Sequence, residues 1–384
     1  MYCLSESQKQ FKGAIRKFVD EEICPYAPAL DKAGVFPKNQ LNRCWELGLA
    51  NALFVADVEG CKYGALEGVI IVEELARGLG SLGLIMCPHY QCCDLIALAG
   101  DDELKQNVLV PSMKYGKILA YALSESSGGS DALGIDTTAI RNGDEWVLNG
   151  SKCWITNAGI ADGYIIAAKT SAYGRSRSVS LFYVDSASPG FIVRESDKMI
   201  GMNNSPMGTI EFNNCRIPLN CLVGNENEGY RLIKTALNEG RLSLSAVAVG
   251  IAQRALELAI AYSSSTSQYG RSLSTYQGIS FKIADIYTRI TAARNMLYHV
   301  ASMCDQNMPY TTEVAALKLF STEICCEVCK DARQIHGAKG LSKDFEIERC
   351  LRDAHMLTVA EGTSEICRIV ISNAMYNSKI EDYS

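Results

Sequence analysis

Three stretches of this chain carry residue types that could do chemistry. In HMLTVAEGTSEICRIVIS, His355 to Ser372, a lone carboxylate, Glu361, falls between an apolar run and Gly362-Thr363-Ser364. Ile366, Ile369, Val370 and Ala374 follow at helical spacing, so Thr363 or Ser364 can cap a last helix. On these residues alone Glu361 is a solvated acid favouring the helix dipole. In YALSESSGGSDALG, Tyr121 to Gly134, adjacent glycines flanked by serines make either a flexible turn or a loop whose backbone N–H groups approach a ligand. It lacks both the Gly-Lys-Ser/Thr ending of a phosphate loop and the GxGxxG dinucleotide fingerprint. In ICCEVC, Cys326 and Cys329 form a CxxC beside Cys325, a spacing used by metal and redox sites. It lies in a helical pattern, and the four histidines, His89, His299, His336 and His355, have no ligand spacing. These thiols read as small core residues, with no metal expected. In NGSKCWITN, Trp154 reads from its neighbours as core packing.

The elements that must position these residues fall into three groups, an α+β arrangement. Residues 1–117 form a helical unit that opens with a capping box at Ser5 and Gln8 and an apolar face of Phe11, Ala14, Ile15, Phe18 and Val19. Pro25 and Pro28 should stop that first helix. Residues 118–225 are short β-rich runs, with a hairpin turn at Asn142-Gly143-Asp144, and predict an antiparallel β-barrel or sandwich. Residues 226–384 hold three long helical patterns and a shorter fourth, a four-helix bundle.

Bulk properties narrow the function. The 384 residues carry a net charge of −6, with 48% hydrophobic and 21% charged side chains, which argues against nucleic acid or an anionic membrane as the main partner. No targeting segment is visible and no apolar run reaches membrane-spanning length, so the expected location is cytoplasmic and the 16 cysteines are expected as thiols.

Taken together, the motifs resemble the acyl-CoA dehydrogenase family from end to end. The resemblance rests on YALSESSGGSD, NGSKCWITN, GTIEFNNCRIP before LVGNENEGY, LNEGR entering a long helix, QYGRSLSTYQGISF, DARQIHGAKG and LRDAHMLTVAEGTSEICR. It implies FAD as cofactor and the removal of two hydrogens from an acyl thioester, an α-proton and a β-hydride that goes to flavin N5, giving the trans-2-enoyl product. Glu361 would be the base, its own backbone N–H and the ribityl 2′-hydroxyl binding the thioester oxygen. Some relatives place their glutamate on the earlier long helix, at a position matched here by Gly240, which leaves Glu239 a solvated or structural acid.

Other roles follow from the same resemblance. Tyr121, Leu123, Ser124, Gly129 and Ser130 would line the flavin, and Trp154, Ile155 and Thr156 would flank its ring. Tyr276, Gln277, Gln334, Ile335, His336, Gly337, Ala338, Gly362, Thr363, Ser364 and Glu365 resemble further cofactor contacts, some made across a subunit boundary. Ser130, Ser176, Asn238 and Arg241 resemble substrate contacts, Arg241 alternatively bracing helices. The acyl pocket would end at Gly83 to Asp94, including His89 and Tyr90, with no arginine to hold a dicarboxylate. A homotetramer and an electron-transferring flavoprotein as acceptor are implied. The alternatives are an acyl-carrier-protein-linked dehydrogenase or oxidase, and a silent scaffold. Four positions depart from the family pattern. Thr266 stands where an arginine clamps the FAD pyrophosphate, Asn238 for an aspartate, Asn203 for an arginine and Ser126 for a proline.

Overall fold

The computed structural model describes residues 2–56, 58–171 and 178–381. Its first third is helical: α1 (Glu6–Glu22), α2 (Ala27–Ala33), α3 (Lys38–Glu46), α4 (Ala65–Gly78), α5 (Gly80–Ala99) and the short α6 (Asp102–Leu104) and α7 (Val110–Lys114), separated by a π turn. The capping box forms, with Gln8 N–H donating to Ser5 Oγ at 3.2 Å and Ser5 N–H to Gln8 Oε1 at 3.0 Å. Pro28 differs from expectation. It sits in the first turn of α2, where its missing N–H costs nothing, so it opens a helix instead of ending one.

The β region is one eight-stranded sheet in the order β6-β7-β3-β2-β4-β5-β8, with β1 on β4. The strands are β1 (Leu119–Ala122), β2 (Thr138–Asn142), β3 (Glu145–Thr156), β4 (Gly163–Lys169), β5 (Val179–Asp185), β6 (Phe191–Ser196), β7 (Met207–Pro218) and β8 (Leu222–Val223). A two-residue turn joins β2 to β3, Gly143 supplying its φ of +62°. Most pairings are antiparallel, but β1 runs parallel to β4, because the β2–β3 hairpin lies between them and brings the chain back in the same direction. Alternation along β4 and β5 feeds two cores. Ile166, Ala168, Phe182 and Val184 pack with the main helical core, while Ile165, Ala167, Leu181 and Tyr183 pack with the ends of α5 and its neighbours.

The last third holds α8 (Gly229–Ser265), a small hairpin β9 (Ser267–Gln268) and β10 (Arg271–Ser272), α9 (Gln277–Asp305), α10 (Thr311–Ile335), α11 (Ile347–Leu357) and α12 (Ser364–Glu381). At Gly250, α8 presses onto α4 so closely that a Cβ would meet the backbone of Glu73 and Arg77. Contrary to the sequence reading, α5 and α8 are each long and apolar enough to cross a membrane by composition. Most of their apolar surface is covered by the rest of the molecule, as core helices require.

Candidate active site

Glu361 sits in the turn between α11 and α12 with φ of +55°, a left-handed conformation that a glutamate adopts only under constraint, followed by Gly362 at +87°. Thr363 caps α12, accepting from Ile366 N–H at 3.3 Å. The carboxylate lies over α8 at Gly240, where any Cβ would collide with it and with the Gln91 amide. Gln91, on α5, donates from Nε2 to Glu361 Oε2 at 3.2 Å and to Ala236 O at 2.8 Å. Burial pushes the Glu361 carboxyl up to about 7, while Gln91, Arg241 and Lys318 pull it down. It is therefore not the solvated acid that its neighbours in sequence suggest.

Glu239 is not solvated either. It is sealed between α8 and α5, neither oxygen has a donor, and burial with the neighbouring Asp94 carboxylate raises it well above the usual range. Asp94 is anchored by the N–H groups of Phe54, Val55 and Ala56 at 2.8, 3.0 and 2.9 Å. Sealed against Asp94 inside the molecule, Glu239 has the surroundings of a structural acid.

The glycine-rich loop is tied to β3. Leu123 O accepts from Lys152 Nζ at 3.0 Å, and Ser124 O from Cys153 N–H at 3.0 Å. Lys152 is fully buried and pairs with Glu125 at 2.7 Å. Glu125 also takes the N–H of Thr137 at 3.0 Å and its hydroxyl at 2.6 Å. A bulge in β3 between Lys152 and Ile155 then turns Trp154 outward, at φ +56° and 51% exposed, so the core-packing reading of this indole does not hold. Asn157, at φ +70°, ties the far side of the bulge to Ile85 O (3.0 Å) and Leu119 O (3.2 Å). Tyr121 is buried on β1 with an unpartnered hydroxyl, and burial together with Glu361 raises its pKa. Leu123 and Ile155 are buried, Ser124 and Thr156 half-buried, Gly129 and Ser130 exposed. These residues therefore present one exposed aromatic face and a small-residue rim on the loop that Tyr121, which senses Glu361, leads into.

The remaining cofactor candidates do not join this group. Gln277 begins α9, while Gln334, Ile335, His336, Gly337 and Ala338 end α10. His336 is buried and stacked on Tyr262 at 4.4 Å, so these residues share the far end of the bundle with Thr266, the cap of α8. Tyr262 lies on α8 22 residues after Gly240, a separation of roughly 33 Å at helical rise. Within one chain the two groups cannot touch the same small ring.

Close to Glu361, Ser364 is buried and donates to Glu323 at 2.6 Å, and Glu365 is exposed. Arg241 is buried, donates to Asn238 Oδ1 at 3.1 Å and packs against Gly362. Asn238 also donates to Thr311 Oγ1 at 2.9 Å, whereas Asn203 donates to Asp31 Oδ1 at 3.0 Å, so these two departures have separate surroundings. Ser176 lies outside the described residues. Among the described residues of α5, Gln91 is the one hydrogen-bonded to Glu361. His89 packs against Trp45, and Tyr90 donates to Leu49 O, both inside the N-terminal core.

Gln91, Lys152 and Lys318 were not singled out in the sequence. The signal for Lys318 is a lone lysine in the apolar helical run VAALKLF, and for Lys152 a lysine inside a strand otherwise bound for the core. The CxxC thiols Cys326 and Cys329 lie on α10, Cys329 paired one turn away with Cys325, and the 16 cysteines are thiols. Among the described residues no three His, Cys, Asp or Glu side chains are grouped to hold a metal.

Comparison with known proteins covers almost the whole chain. Residues 5–115, 120–215 and 227–376 match the N-terminal, middle and C-terminal domains of acyl-CoA dehydrogenase. A probable acyl-CoA dehydrogenase of Bacillus subtilis is 35% identical over 374 residues, 97% of this chain and 98% of that one. The structure of butyryl-CoA dehydrogenase from Megasphaera elsdenii superposes with a TM-score of 0.93 at 29% identity, covering 98% of this chain and 100% of that one. That of the prolyl acyl carrier protein oxidase AnaB gives 0.92 at 28%, covering 97% and 100%. The chain belongs to the acyl-CoA dehydrogenase family, oxidoreductases acting on CH–CH groups, and has its three-domain fold.

Proposed function

We propose that this chain is a FAD-dependent dehydrogenase of acyl-CoA thioesters in which Glu361 removes the α-proton. The observation that carries the reading is the Glu361 carboxyl itself, buried over the bare backbone of Gly240 and raised to about 7. A carboxylate in water is far too weak a base for such a proton, and desolvation strengthens it. Because Gln91 occupies Oε2, Oε1 is the oxygen left to receive the proton. The Glu361 amide N–H finds no acceptor among the described residues, and it is the donor offered to the thioester oxygen.

The chain's residues fit a flavin. The out-turned Trp154 offers a flat face, the Ser124–Cys153 bond fixes it beside the glycine-rich loop, and Gly128 leaves room for close approach. Tyr121, Leu123, Ser124, Gly129, Ser130, Trp154, Ile155 and Thr156 would hold the ring. Bound FAD supplies the acceptor for the hydride leaving Cβ. The far-end group, Gln277 and Gln334 to Ala338, would serve a neighbouring subunit's cofactor. The homotetramer this requires is supported by exposed Phe281, Tyr287 and Ile369 on α9 and α12. Electron-transferring flavoprotein as acceptor and a cytoplasmic location belong to the same reading.

CoA is the preferred handle, since a net charge of −6 opposes docking of an acidic carrier protein. The test is anaerobic bleaching of the bound flavin by a panel of saturated acyl thioesters, each on CoA and on carrier protein. Bleaching by at least one acyl-CoA is expected. No bleaching by any thioester would refute the reading, and a hundredfold preference for the carrier, about 2.7 kcal/mol, would transfer it to the carrier-linked enzyme.

A further inference from the structure

Lys318 lies on α10, fully buried, and its ammonium donates to Thr358 O at 3.1 Å and to Gly362 O at 2.7 Å. Those two carbonyls bracket Glu361, and Ser364 N–H also closes on Thr358 O at 3.1 Å. The lysine thus grips the turn at both ends, over the residues forced to φ +55° and +87°. Among the described residues no carboxylate lies in ion-pair contact with it. Its partners are neutral carbonyls, which satisfy its hydrogen bonds and leave its charge uncompensated.

We propose that Lys318 is the positioning residue of this site: it clamps the Thr358–Gly362 turn through two carbonyls, and its unpaired charge has the ionised Glu361 as its counter-ion. The inference rests on reading Glu361 as the base. The groups around both are few. Glu361 is faced by Gln91, Cys87 and Cys92 from α5, Tyr121 from β1, Arg241 and Glu239 from α8, and Lys318 from α10. Lys318 is faced by Arg241, by Glu323 on α10 and by the Cys367 thiol on α12. Of the two cations near Glu361, Arg241 spends Nη1 on Asn238. Lys318 alone holds the turn by its backbone, so position and charge arrive through the same side chain.

Two effects follow, and they separate by pH. Loss of the clamp alone slows proton removal equally at every pH. Loss of the charge makes Glu361 harder to ionise, so the rate falls at low pH and recovers once the medium is alkaline enough.

The experiment compares holoprotein of wild type, Lys318→Met and Lys318→Gln in anaerobic flavin reduction by a saturating acyl-CoA, from about pH 5.5 to about pH 9.5. The midpoint is expected to rise by about one unit or more. The rate at the acid end should drop more than about tenfold and return to within about threefold of wild type at the alkaline end, with KM little changed. A second readout is stability: Lys318→Met should cost more at about pH 7.5 than at about pH 5.5, and equally at both in a Glu361→Gln background. An unmoved midpoint, or the same pH-dependent cost in the Glu361→Gln background, overturns the proposal. Should the Met variant fail to fold, the Gln variant decides alone. Failure of the underlying reading looks different: Glu361→Gln would then reduce its flavin at the wild-type rate whatever stands at position 318.

Discussion

Two lysines, Lys152 and Lys318, are buried completely, and they are used in opposite ways. Burial lowers both to about 8. Lys152 has a carboxylate in contact, Glu125 at 2.7 Å, and that acid is held below its usual range. The pair is closed: each charge is spent on the other and on the loops they join. Lys318 contacts only carbonyl oxygens, and the nearest functional carboxylate, Glu361, is left raised to about 7 and facing the site. The same residue type at the same burial thus fixes a scaffold in one place and, in the other, stands beside a raised carboxyl, the proposed base. What decides is whether the counter-charge is in contact or is reserved for the chemistry.

The comparison breaks most visibly at the closed pair. Glu125→Gln leaves the Lys152 ammonium buried without its partner and should destabilise the holoprotein by about 3–5 kcal/mol in urea unfolding. Adding Lys152→Met should restore most of that loss. If the double variant is no better than the single one, the pair is not a closed unit.

At the open site the expected costs are smaller. Gly240→Ala drives a methyl group into the Glu361 carboxyl and the Gln91 amide and should cost about 1–3 kcal/mol, with a sharp fall in flavin reduction. Glu361→Gln should do the reverse to stability. The folded protein holds the Glu361 proton more tightly than the unfolded chain, about 7 against the ordinary 4.5. Its contribution is therefore fully present below pH 4.5 and is lost as pH rises through 7. The amide cannot ionise, so the variant should be more stable than wild type by about 1–3 kcal/mol near pH 8 and equal near pH 4.5. Equal stability across that range would mean the carboxyl is not poised. The smallest effect belongs to the surface. Arg216→Ala removes a half-exposed pair with Glu145 and should change stability by no more than about 0.5 kcal/mol.

These contrasts also mark what the sequence could tell. The Ser5–Gln8 box and the Gly143–Asp144 turn are local, set by residues within a few positions, and they were legible. Glu361 was legible only through its resemblance, because its own neighbours describe a helix cap and Thr363 does serve as one. The core-packing reading of Trp154 fails because its bulge depends on pairing with β7, some fifty residues on in the chain. Gln91 meets Glu361 from 270 positions away, and Lys152 meets Glu125 from 27. No periodicity encodes such meetings. Pro28 was misread for a simpler reason: a proline stops one helix and starts the next with equal ease, and only the following residues decide.

The claim that matters most is that Glu361 is the base, and one single-turnover measurement tests it. Wild type and Glu361→Gln, matched for flavin content and for thioester binding, are mixed anaerobically with an acyl-CoA that bleaches the wild type, and flavin absorbance is followed in time. The account predicts that the variant binds the thioester but reduces its flavin slower by about 10²–10⁴-fold or more. Reduction at a rate close to wild type would contradict it.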